Sequence, residues 1–140
     1  MSEVSLSDMN LDEIDRLLLN WEEVYKKGLL TFWLLLLLHE RAAYAYEIND
    51  AVQKISQGTI SADNNSIYRA LSRFEALGIV TSDLRQSDIG PARKYYGLSE
   101  KGVLLIGKFI QRNILLFETP LVAERIRNLL KSAGLKSEEA

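Results

Sequence analysis

Leu11, Ile14, Leu17, Leu18, Trp21 and Val24 recur at steps of three and four residues, which places them on one face of a helix predicted over residues 11–26. Gly28 is expected to separate it from a second helix, Leu29 to Glu40, apolar almost all round and so needing cover on more than one side. A third, Tyr44 to Ile55, would bury Ala45, Ile48, Val52 and Ile55, and SQGTIS supplies a turn with a very short extended piece. The stretch DNNSIYRALSRFEALGIV then sets Ile67, Ala70, Leu71, Phe74 and Leu77 on one helical face and Ser66, Arg69, Ser72 and Arg73 on the other. Asp63 suits the N-cap and Gly78 the left-handed close, giving a helix from Asn64 to Leu77.

After Gly78 the period drops to two. IVTSDLR and RKYYGLS read as strands joined by the turn residues QSDIGPA, and by its position relative to Leu98, Tyr96 is the inward tyrosine of the second strand. Ser99 precedes a helical stripe of Val103, Ile106, Ile110, Ile114 and Phe117 that stops at Pro120, where Thr119 is placed to cap a short helix from Leu121 to about Leu130. The tail 132–140 is expected to be disordered.

A chain of 140 residues, 47% hydrophobic and 26% charged, has material for one core and not two. The absence of cysteine excludes disulfides, thiolate metal sites and cysteine nucleophiles. The run Gly28–Leu38 falls short of the roughly 20 apolar residues of a membrane span, and the acidic segment before it is unlike a signal peptide; a cytoplasmic location is expected. No glycine-rich phosphate loop, paired nucleophile and base, or clustered metal ligands stand in the chain, so neither enzyme activity nor a cofactor or metal is expected. His39 is read as complementing a helix C-terminus. Trp21 and Trp33 read as core or interface aromatics.

The formal charge of −2 is unevenly spread: −4 over residues 1–27, −2 over 28–53, +2 over 54–101 and +2 over 102–140. A locally positive middle still makes a footprint, since fields are screened beyond about 10 Å at ordinary salt. The order helix, helix, helix, hairpin, helix is that of a winged helix-turn-helix, mainly α with a small β-hairpin wing. In that fold the carboxylate-free outer face of 64–73 would enter a major groove and the hairpin would lie on flanking backbone. Asn64, Asn65, Ser66, Arg69, Ser72 and Arg73 on the helix, with Arg85, Arg93 and Lys94 on the wing, are the candidate DNA contacts. A winged helix serving as a protein-interaction module is the alternative, which the acidic overall charge would suit.

YAYEI, NSIYRALSRFEALGIV and GPARKYYGLSEKG, in that order over about Gly28 to Gly107, resemble the PadR-like transcriptional regulators. The resemblance implies a sequence-specific DNA-binding regulator acting as a repressor. Its recognition surface would be Ser66, Tyr68, Arg69 and Arg73, with Arg93, Lys94 and Tyr95 acting from the wing. It also implies a homodimer joined by the C-terminal helix and, in some members, a small-molecule effector.

Expected dimer residues are Leu30, Trp33, Leu34, Ile106, Phe109, Ile110, Ile114 and Phe117. An aromatic effector would sit at the dimer seam near Trp33 and Phe109. The expected organisation is an acidic helix (1–27) packing on the core or dimer partner, a DNA-binding domain (28–98), dimerisation helices (99–131) and a tail (132–140). The chain departs from the family pattern at Ala45, at Asn64 and Asn65, and at Arg69, so operator preference does not carry over.

Overall fold

The computed structural model describes residues 11–136. Its elements are α1 (Leu11–Glu40), β1 (Ala43–Tyr44), α2 (Ala45–Ile55), α3 (Asn64–Ala76), β2 (Val80–Arg85), β3 (Arg93–Leu98), α4 (Glu100–Phe109) and α5 (Pro120–Ser132). Between α4 and α5 the chain makes a wide π-helical turn, Ile110–Ile114, and a tight 3-10 turn, Leu115–Glu118. The described part of the expected tail includes the last helical residue, Ser132, and Gly134, whose φ of 71° turns the chain. Residues 137–140 lie outside the described residues.

Residues 22–107 form one compact unit, and most of its core lies at the positions the hydrophobic spacing predicts. Leu34 and Leu35 of α1, Ile48 and Val52 of α2, Ile67 and Leu71 of α3 and Val80 of β2 are its fully buried large side chains. Leu37 and Leu38 are buried as well, so one domain covers most of the apolar helix that had called for a partner. The ends of the chain, up to Trp21 and from Lys108, belong to a second unit.

Gly28 does not divide two helices. It lies inside α1, where glycine costs only about 1 kcal/mol relative to alanine, too little to break a helix flanked by good helix formers. The hairpin is joined by a strand that the pattern did not reveal: β1 pairs antiparallel with β3, making a sheet of order β1-β3-β2. Two residues are too few to show alternation.

Ile55 and Leu77, expected in the core, are exposed. Ile55 is the last residue of α2 and Leu77 the C-cap of α3, and a neighbour takes the interior position instead. Ser56 is buried after Ile55, its hydroxyl oxygen accepting from the Ile60 N–H at 3.1 Å. Ile79 is buried after Leu77. There the chain closes α3 with Gly78 at φ 76°, the Gly78 N–H donating to Glu75 O and the Ile79 N–H to Phe74 O, the paired bonds of a Schellman motif.

Ser99 caps α4 as its spacing suggests, its Oγ accepting from the Gly102 N–H at 3.0 Å and donating to the carbonyls of Gly78 and Ile79. Thr119 stands at the start of α5, but its hydroxyl donates backward to Leu116 O at 2.8 Å and caps nothing ahead of it. Pro120 alone, with its fixed φ and absent N–H, opens that helix.

Candidate nucleic-acid interface

The outward face of α3 begins with its cap. The Ser66 N–H donates to Asp63 Oδ1 at 2.6 Å, and this bond, with further help from the Ser66 hydroxyl and the Arg69 charge, holds the Asp63 carboxyl below its ordinary range. Asn49 Nδ2 of α2 donates to Asn64 Oδ1 at 3.0 Å, tying the first helix of the helix-turn-helix to the start of the second. Asn64, Asn65, Tyr68, Arg69, Ser72 and Arg73 are exposed and Ser66 is half-buried. Arg69 lies along the helix with Nη2 donating to Ser66 Oγ at 3.3 Å, while the Arg73 guanidinium rests 5.2 Å from the Phe74 ring centre.

A depressed folded-state pKa means that the Asp63 charge contributes in full above the ordinary carboxylate range and is lost as pH falls through the lowered value. Asp63→Asn keeps a cap acceptor without the charge. The wild type is therefore expected to melt higher than the variant at neutral pH, with the gap closing in acid. A gap that is the same at both ends would refute the assignment.

The wing divides its cations between two faces, as a period of two requires. On one, Arg93 stacks over Tyr44 (4.5 Å), Tyr44 meets Tyr95 edge to face (5.4 Å), and Arg85 stacks over Tyr95 (4.5 Å) while pairing with Asp83 at 3.0 Å. This ladder lets Arg85 and Arg93 sit directly opposite each other across the hairpin, where two like charges otherwise repel.

On the other face stands Lys94, on the same side of β3 as the buried Tyr96. Its ammonium lies 3.0 Å from Glu75 Oε1 near the end of α3, and Ser82 Oγ donates to the second oxygen of that carboxylate. The Ser82 and Lys94 bonds hold Glu75 below the usual carboxylate range, and the Glu75 bond holds Lys94 above the usual lysine value. Burial pushes the Tyr96 hydroxyl up. Lys94 is exposed as its place on the wing implies, and its pair with Glu75 also ties the wing to α3.

Spacing did not single out Tyr44, Asn49 or Glu75. Tyr44 becomes legible only once β1 is known to pair with β3. Of the expected dimer residues, Leu34 and Ile106 are buried within the chain. Leu30, Trp33, Phe109, Ile110 and Ile114 are half-buried and Phe117 is exposed. Among the described residues no helix is long and apolar enough to cross a membrane, and no group of three or more histidine or carboxylate side chains could hold a metal ion.

Residues 34–107 match the model of the PadR-like family of transcriptional regulators. No curated protein matches the chain. A PadR-like transcription factor from Bacteroides fragilis is 30% identical, with 71% of this chain and 93% of that one covered and a TM-score of 0.57. A PadR-like transcriptional regulator from Bacillus cereus is 29% identical over 74% and 93% of the two chains, with a TM-score of 0.58. The PadR protein of Bacillus subtilis, solved in complex with operator DNA, shares the fold at 21% identity and a TM-score of 0.55, over 59% of this chain and 46% of that one.

Proposed function

Because this chain belongs to the PadR-like family of transcriptional regulators, we propose that it binds double-stranded DNA sequence-specifically, with α3 in a major groove and the wing on the backbone. The observation that carries the reading is the outer face of residues 64–73, which holds two arginines, amides and hydroxyls and no carboxylate. A face that only needed to be soluble would mix acids with bases; one that meets phosphates and base edges gains from cations and neutral donors alone. That the Bacillus subtilis neighbour was solved in complex with operator DNA supports DNA as the partner. Selection of bound fragments from a random duplex pool tests it. An enriched sequence is the expected result, and failure to retain any duplex would favour the protein-interaction reading.

The regulator acts as a homodimer and represses by occupying its operator. Support for the dimer comes from apolar side chains that a single chain leaves in water: Trp21 is 75% and Val24 74% exposed, and Leu121 and Leu129 of α5 are exposed too. Trp21→Ala is expected to weaken the dimer by at least about 2 kcal/mol, roughly thirtyfold in dissociation constant, as buried tryptophan anchors do. Ile110→Glu should also weaken it, since an unpaired buried carboxylate costs several kcal/mol. Sedimentation across the micromolar range reads both, and a wild-type monomer there would sink the proposal.

Trp33 Nε1 is buried without an acceptor among the described residues, which leaves a donor for an aromatic effector carrying a hydroxyl or carboxylate. Trp fluorescence and DNA affinity titrated against planar phenolic compounds test that part. No change in either measurement would remove it.

A further inference from the structure

We propose that the trough between the wing and the helix-turn-helix seats the sugar–phosphate strand that separates two neighbouring grooves of the duplex, with aliphatic wing side chains packed on deoxyribose. The inference rests on the DNA-binding reading and deepens it. A helix in a major groove and a hairpin beyond it must straddle the intervening strand, so a DNA-binding winged helix needs a saddle at this place.

The trough has a volume of about 670 Å³ and is lined by Tyr46 at the start of α2, Tyr68 of α3, and Leu84, Ile89 and Pro91 of the wing, with Arg93 and Lys94 beside them. Among the described residues no carboxylate lines it, although acids outnumber bases in the chain. Leu84 is 73% and Ile89 84% exposed, an unfavourable state for two aliphatic side chains on a short hairpin. Such an open channel cannot enclose a small ligand on most sides, as small-molecule sites do. It does suit a strand that continues beyond both ends. Deoxyribose offers a nonpolar face to Leu84 and Ile89, and phosphates flanking each sugar offer acceptors to the Tyr46 and Tyr68 hydroxyls and to Arg93.

Apolar packing releases no counterions, which separates this contact from an ionic one. Leu84→Ser with Ile89→Ser in the full-length chain, measured by fluorescence anisotropy on a selected operator and a random duplex at several salt concentrations, provides the test. The double variant should lose roughly tenfold in affinity on both duplexes, with an unchanged slope of log affinity against log salt. Arg93→Ala should flatten that slope by about one unit per contact removed. Both exchanged residues are solvent-facing, so the thermal melt of the double variant should match the wild type. Unchanged affinity overturns the saddle and leaves DNA binding intact. A flatter slope in the double variant overturns the apolar contact. A wild type that binds no duplex removes both readings.

Discussion

Alanine at position 102 is expected to lower stability by about 1–3 kcal/mol, whereas alanine at position 28 should raise it by up to about 1 kcal/mol. Both exchanges replace a helical glycine and gain the same intrinsic propensity, so the sign is decided by what the new methyl group meets. At Gly28 the space around a Cβ is open. At Gly102, which is buried, a Cβ would collide with the Ile79 carbonyl oxygen and the Leu98 side chain. Leu98 could turn away, but the carbonyl is held by the Ser99 N–H at 3.0 Å and the Ser99 hydroxyl at 2.8 Å. Accommodating the methyl would then displace the cap of α4 along with the end of the hairpin. Urea unfolding of the two variants at equal protein concentration measures the difference, and a Gly102→Ala midpoint at or above the wild type would show that the junction yields.

The second large effect is expected at Arg69. If its guanidinium leaves Ser66 Oγ for a base edge, Arg69→Ala should cost on the order of 1–3 kcal/mol on the selected operator and much less on random duplex. Lys94→Ala is the contrast. A free lysine on phosphate would weaken all duplexes alike and lower the salt slope by about one unit per contact. Glu75 already neutralises this ammonium at 3.0 Å, so its removal should change the slope by less than Arg93→Ala does. Equal losses for Arg69→Ala on operator and random duplex would place base readout elsewhere on the helix, at Asn65 or Ser66.

Much of this arrangement can be read from the chain because it rests on local periods. The apolar spacing of α3, its Asp63 cap and its Gly78 close each follow from local rules; the cap and the close are met, and the spacing is met from Ile67 to Phe74 but not at Leu77. Lys94 makes a contact that its charge alone does not announce. Residues 94 and 96 share a side of a strand, so an inward Tyr96 puts Lys94 on the side facing α3, where its exposed ammonium meets Glu75. Tyr44 gave no comparable signal. Its role depends on pairing with Tyr95, more than fifty positions away, and a two-residue strand has no period to detect. Gly28 marks a different limit, since a residue that disfavours helix in isolation is outweighed when its neighbours on both sides hold the helical path. The exposed Leu84 and Ile89 were visible only as members of a strand and a turn, and their meaning depends on which helix lies across from them.

The wide turn at Ile110–Ile114 and the tight turn at Leu115–Glu118 alter the screw of the chain in opposite senses. An α-helix advances about 100° per residue; a π-turn advances less and a 3-10 turn more, at 120° for three residues per turn. The lag accumulated in the first is largely recovered by the end of the second at Glu118; Thr119 is then extended (ψ 144°), and α5 starts afresh at Pro120. The stripe through Ile114 and Phe117 is thus regular in the sequence although the backbone beneath it is not. It also makes the segment sensitive to residue number more than to residue type. Deleting one position between 110 and 114 would leave the tight turn without its counterweight and turn the side chains of Leu115–Glu118 by a large fraction of a right angle.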